Sequence, residues 1–165
     1  MSSRLALVLA AAVLFSACRA KEITSLDRKE AANIVSEAEF AATLKDWNRA
    51  EGLYVKAAAL CPDEGGTWVA LGVVRMRLHN APGAREAYKS GLSAFRDEIE
   101  REPANPTPVI RAASVLVLLG RVDEAHAVVA KAYAKNPEDR ELRRFVEMKA
   151  VDRMAADPGL KEVSP

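Results

Sequence analysis

Two cysteines in 165 residues are too few for a disulfide scaffold. Eight glycines and eight prolines are too few for a collagenous or low-complexity chain. Charge of one sign is missing as well: 24 basic residues face 23 acidic ones, a formal net charge of +1. A nucleic-acid partner would demand a basic excess, so none is expected. There is no phosphate loop, no GxSxG and no HExxH. His79 and His126 are the only histidines, and no Cys or His stands at metal-ligand spacing. No catalytic residue, no metal and no cofactor is expected, and the chain does not read as an enzyme. What is plentiful is apolar side chain, 50% of residues against 28% charged, enough to build a folded core. The length suits one domain.

Long hydrophobic runs are also lacking, with one exception. Leu5 to Ala17 (LALVLAAAVLFSA) holds no charge, and Arg4 precedes it. That is the shape of an export signal. Thirteen residues span roughly 20 Å as a helix, short of a bilayer core of about 30 Å. The run ends Leu14-Phe15-Ser16-Ala17-Cys18, which resembles the bacterial lipobox, with small residues before a cysteine. The resemblance implies cleavage before Cys18 and lipidation of its thiol, with residues 1–17 as signal peptide and 18–25 as lipidated residue and tether. Phe15 stands where Leu is usual. Cleavage by ordinary signal peptidase after Ala17 or Ala20, and an uncleaved anchor, are the alternatives. Position 19 is Arg rather than the Asp that holds such lipoproteins at the inner membrane, which implies the periplasmic side of the outer membrane. Losing residues 1–17 removes one Arg and no acid, leaving a mature net charge of zero.

The rest of the chain repeats. Ala38 and Gly72 are 34 residues apart, as are Ala50 and Ala84. A third copy follows 41 residues on, at Ala113 and Ala125. Within each copy the two small residues stand 12 apart, and a larger apolar residue follows the second by four: Tyr54, Tyr88 and Val129. Another small residue follows: Ala57, Gly91 and Ala132. Pro62 and Pro137 close copies one and three. This pattern resembles the tetratricopeptide repeat over about residues 31–139, with Trp68-x-x-Leu71-Gly72 as the best opening. Ile34 and Val109 replace that Trp in the other copies, and Arg75 replaces a customary aromatic in copy two. The implied fold is all-α, a tetratricopeptide-type solenoid of three helical hairpins (about 31–64, 65–105 and 106–139) plus a C-terminal capping helix.

Each copy reads as two helices crossing where Ala or Gly permits close approach. The spacing predicts helices over 26–45, 47–60, 67–79, 81 to about 100, 108–119 and 122–135, with 101–106 as the loop back from the fourth. Thr24 or Ser25, Asp46 and Asn80 are the capping candidates, and Gly120 is a left-handed stop. The stripe Tyr88, Leu92, Phe95, Ile99 predicts that the second helix of copy two runs about two turns longer than its neighbours, ending in a charged tip. A single capping helix is expected over 138–156, burying Leu142, Phe145, Val146, Met148 and Val151. The repeat domain then spans 26–157, and residues 158–165 are a tail.

In the family, the first helix of each repeat lines a concave face. By register this implies a lining of Val35, Glu39 and Ala42, then Val69, Val73 and Met76, then Ile110, Ser114 and Val117, with Thr43, Arg77 and Arg111 at the edge. So apolar a groove suits an amphipathic helix or an extended apolar peptide. The implied partner is a protein or peptide of the cell envelope. A capping helix of the chain itself, or a second copy, is the alternative occupant. The basic and amide residues that would bind acidic chaperone tails are replaced here by Val, Ala and Glu. Cys61, before Pro62, reads as a small core thiol. Trp47 and Trp68 read as packing residues. Together the features imply a lipid-anchored envelope adaptor or scaffold, with a structural or self-associating role as the alternative.

Overall fold

The computed structural model describes residues 22–165. Nine helices and no strand occur among the described residues. They are α1 (Ser25–Thr43), α2 (Trp47–Leu60), α3 (Gly65–Arg77), α4 (Ala81–Arg101), α5 (Thr107–Leu118), α6 (Val122–Lys135), α7 (Arg140–Glu147), α8 (Ala150–Ala156) and α9 (Pro158–Lys161). Each of the first six packs on its neighbour in sequence order, so three α-hairpins stack side by side. This is the all-α, tetratricopeptide-type solenoid that the repeat implies.

The small-residue pairs sit at the crossings. Ala38 with Ala50, Gly72 with Ala84, and Ala113 with Ala125 are all buried. At the middle crossing Gly72 lies directly beneath the ring of Tyr88. Helix starts follow their caps. Thr24 and Asp27 form a reciprocal capping box, and Asp46 and Asn80 accept from the amides of Arg49 and Gly83. Helix α3 begins at Gly65, two residues before the expected Thr67, and Gly65 tucks against Phe95. Helix α4 has 21 residues against 14 in α2 and α6, matching the expected extension of about two turns. Arg75 uses its guanidinium to tie the first two hairpins together. It reaches the Glu51 carboxylate at 2.9 Å and donates to the Gly83 carbonyl at 3.0 Å.

The turn inside each hairpin repeats the same backbone geometry. Lys45, His79 and Gly120 occupy matching positions, with φ of 60°, 59° and 73°. In each, the next amide reaches back to close a six-residue ring: Asp46 to Ala41, Asn80 to Arg75, Arg121 to Leu116. His79 is thus a helix-stop residue. A side chain in this conformation costs about 1 kcal/mol relative to glycine. Gly120→Ala is therefore expected to destabilise by about 1 kcal/mol, while His79→Gly stabilises by a few tenths, reduced by glycine's greater freedom in the unfolded chain. Urea midpoints of opposite sign would bear this out; equal shifts would contradict it.

The C-terminal region departs from expectation. The single capping helix is broken at Met148 and Lys149, where Lys149 turns left-handed with φ of 48°. The reason is geometric. Leu142 and Val151 are nine residues apart, which places them about 180° apart on an unbroken helix. The break lets both reach the core, where each is buried. Of the other expected core residues, Phe145 is half-buried, whereas Val146 and Met148 are 40% and 44% exposed. The segment after 157 is no free tail. It forms α9 and packs on the hairpins, with Val163 only 7% exposed.

Candidate peptide-binding groove

A cleft of about 540 Å³ opens where α1, α3 and α5 face the same side. Its floor is made by small residues: Ala31, Ala32 and Ser36 from α1, and Gly66, Thr67 and Ala70 from α3. Ala32 and Gly66, and likewise Ser36 and Ala70, are 34 residues apart. The cleft is thus a second product of the repeat, a place where two successive copies both leave out side-chain volume. Val35 and the buried ring of Tyr54 add apolar wall. Burial, and then the Glu39 carboxylate, pushes the Tyr54 phenol up, so it stays protonated.

Charge gathers at the rim. Arg28 binds Asp63 at 2.7 Å and Glu64 at 3.2 Å, joining the start of α1 to the α2–α3 turn. Hydrogen bonding from Arg28 holds the Asp63 carboxyl below the usual carboxylate range. Glu39 and Arg111 are the other charged rim residues. The Arg111 guanidinium lies 6.0 Å from the centre of the Phe95 ring, a cation–π contact with α4. It makes no ion pair among the described residues. Cys61 borders the cleft but is buried, and burial pushes its thiol up, which disfavours the reactive thiolate.

Only part of the expected lining meets here. Val35, Glu39 and Arg111 line the open cleft. Val69 does not: its Cγ2 lies near Gly91 of α4, on the hairpin side of α3. Val73, Met76 and Ile110 are half-buried against the core that runs from α4 to the C-terminal segment. Val117 is 7% exposed and belongs to that core. Ser114 donates to the Ile110 carbonyl and lies 3.4 Å from the sulfur of Met154 on α8. Arg77 pairs with Glu162 at 3.4 Å. Ala42 and Thr43 lie outside the cleft lining. The concave face is therefore divided. Its first half is open, and its second half is covered by the chain's own C-terminal segment. The register of the repeat missed Arg28, Ala32, Ser36 and Ala70, and it gave no sign of the covering segment.

No family model matches the chain, and no curated protein matches it. Solved structures do. One is the Yersinia enterocolitica type III secretion chaperone SycD in complex with a peptide of the translocator YopD. It is 19% identical over 86% of this chain and 97% of that one, with a TM-score of 0.47. Another is the TPR domain of Arabidopsis OM64, 16% identical over 77% of this chain and 98% of that one, with a TM-score of 0.45.

Cys18 and the export signal lie outside the described residues. Among the described residues no helix is long and apolar enough to cross a membrane. No group of three or more His, Cys, Asp or Glu among them could hold a metal ion. His126 shares a hydrogen bond of 2.9 Å with Asp152 of α8, both on the surface.

Proposed function

We propose that the chain is a lipid-anchored adaptor of the cell envelope that holds a segment of a protein partner in the cleft between α1 and α3. The cleft itself carries this reading. Its floor of small side chains, part apolar and part hydroxyl, leaves room for the side chains of an amphipathic helix or extended peptide. The rim offers Glu39 and Arg111 for orientation. Lipidation at Cys18 rests on the lipobox resemblance, and Arg19 after it favours the outer membrane. No chemistry is assigned to the chain; it works by binding.

The test is site-specific photocrosslinking in the native envelope. A photoreactive residue at Ser36, in the cleft, should give a discrete protein adduct. The same residue at Lys56, exposed on α2, should not. Ala32→Arg fills the cleft from an exposed position and should suppress the Ser36 adduct at least tenfold while leaving helicity intact. Adducts of equal strength from both positions would place the interface elsewhere.

A second reading, in which the groove is filled by the chain itself, has its own support. The C-terminal segment covers the second and third hairpins through Tyr88, Arg77 and Ser114. The two readings apply to different halves of one face.

A further inference from the structure

The covering segment is held in a particular way. Asp157 caps the amide of Gly159, and one turn of helix brings Val163 down onto the hairpins. The Tyr88 hydroxyl donates to the Val163 carbonyl at 2.7 Å. This is the most buried polar contact the segment makes, and burial pushes the phenol up to about 12, so it remains a donor. On one side of Val163, Glu162 meets Arg77 at 3.4 Å. On the other, Arg85 donates to the Pro165 oxygen at 2.6 Å. Three protein donors thus read a short stretch of backbone and one carboxylate, while Val163 fills the apolar seat between them. That is how a groove holds a peptide.

The fit is incomplete. A cavity of about 250 Å³ remains between Leu160, Ser164 and Pro165 and the α5–α6 turn. Glu162 and Arg77 are both substantially exposed, so their pairing is weak. One buried valine, a half-buried Leu160, one buried hydrogen bond and two exposed polar contacts must offset the ordering of nine residues. A segment so held opens more readily than the hairpins beneath it.

We propose that residues 157–165 are a displaceable internal ligand, and that the seat they occupy takes a partner peptide carrying the same acid-then-aliphatic step in trans. The carboxylate of such a peptide meets Arg77, its aliphatic side chain fills the place of Val163, and the carbonyl of that same aliphatic residue accepts from Tyr88. This deepens the reading that the concave face binds a protein segment and rests on it. It names the chemistry of the second half and makes it available only when the chain's own segment lifts.

The test uses the full chain and a fluorescein-labelled peptide with the sequence of residues 156–165, followed by anisotropy. The parent should bind this peptide weakly, because its own copy competes. Val163→Asp releases the internal copy and should tighten binding about tenfold, as expected when a seat free one time in ten becomes free throughout. Glu162→Lys, at an exposed position that cannot disturb folding, should tighten it in the same direction. Adding Arg77→Glu to Val163→Asp should reduce the gain several-fold, because the peptide's Glu then meets a like charge. Equal binding by parent and variants, or binding by none of them while circular dichroism shows intact helix, would overturn the proposal. So would a parent that sediments as a dimer exchanging these segments, since the occupant would then be a second copy. Failure here with the Ser36 adduct retained would leave the open cleft as the binding site. Loss of the Ser36 adduct as well would remove the underlying reading.

Discussion

Gly72→Ala is expected to destabilise the fold by about 2 kcal/mol, although alanine is the better helix former by about 1 kcal/mol. A Cβ at position 72 would overlap Cε1 and Cδ1 of the Tyr88 ring. The ring cannot swing aside. It is fully buried between α3 and the hairpin core, with no room to rotate. The helices α3 and α4 must part instead. Gly52 is the internal control. A Cβ there meets nothing within 4 Å, so Gly52→Ala should stabilise by up to about 1 kcal/mol. Urea denaturation of the two variants should give midpoints on opposite sides of the parent. Tyr88→Leu should recover part of the Gly72→Ala loss, a coupling that a double-mutant cycle would measure. Equal midpoints for Gly72→Ala and Gly52→Ala would mean that the crossing is looser than described and that the repeat reading lacks its physical basis.

That crossing is also where the sequence was most legible. Close approach of two helices demands a missing side chain at one fixed place in each copy. The demand leaves a visible trace at Ala38, Gly72 and Ala113. Caps are equally local, so Asp46 and Asn80 could be read directly. What could not be read depends on relations without a local mark. Lysine does not advertise a left-handed backbone, so the break at Lys149 shows only in the opposed positions of Leu142 and Val151. Val163 is a lone aliphatic residue among Lys, Glu and Ser, with no periodicity to announce that it is buried. Arg28 and Asp63 pair across 35 residues of chain. The division of the face is a matter of helix rotation. Val35 and Val69 are equivalent in register, yet Val35 borders the cleft while Val69 turns toward α4. The register identifies equivalent positions, and the packing of each hairpin on the next decides which way they point.

Cys18→Ser is expected to move essentially all of the protein from the membrane pellet to the soluble fraction and to abolish acyl labelling. On the proposed reading nothing among the described residues replaces the lipid once residues 1–17 are removed. The mature sequence has a net charge of zero, which offers no electrostatic hold on anionic headgroups. No helix among the described residues is long and apolar enough to span a bilayer. One acyl chain alone gives an association constant of about 10⁴ M⁻¹, a marginal and reversible hold, so stable anchoring needs the two or more chains that lipobox processing supplies at one residue. Their loss should therefore act as a switch rather than a gradation. Retention of Cys18→Ser in a carbonate-washed membrane pellet would exclude lipid anchoring at this residue. The consequence reaches the cleft. Helix α1 begins at Ser25, and Arg28 at the cleft rim follows within one turn. Seven Cα steps join Cys18 to Ser25 and reach at most about 25 Å, so on the proposed reading the start of α1, beside the cleft rim, is held within that distance of the bilayer surface. Confinement there raises the effective concentration of any membrane-bound partner. The Ser36 adduct should then weaken in Cys18→Ser even though the groove itself is untouched, and an adduct of undiminished strength would point to a soluble partner.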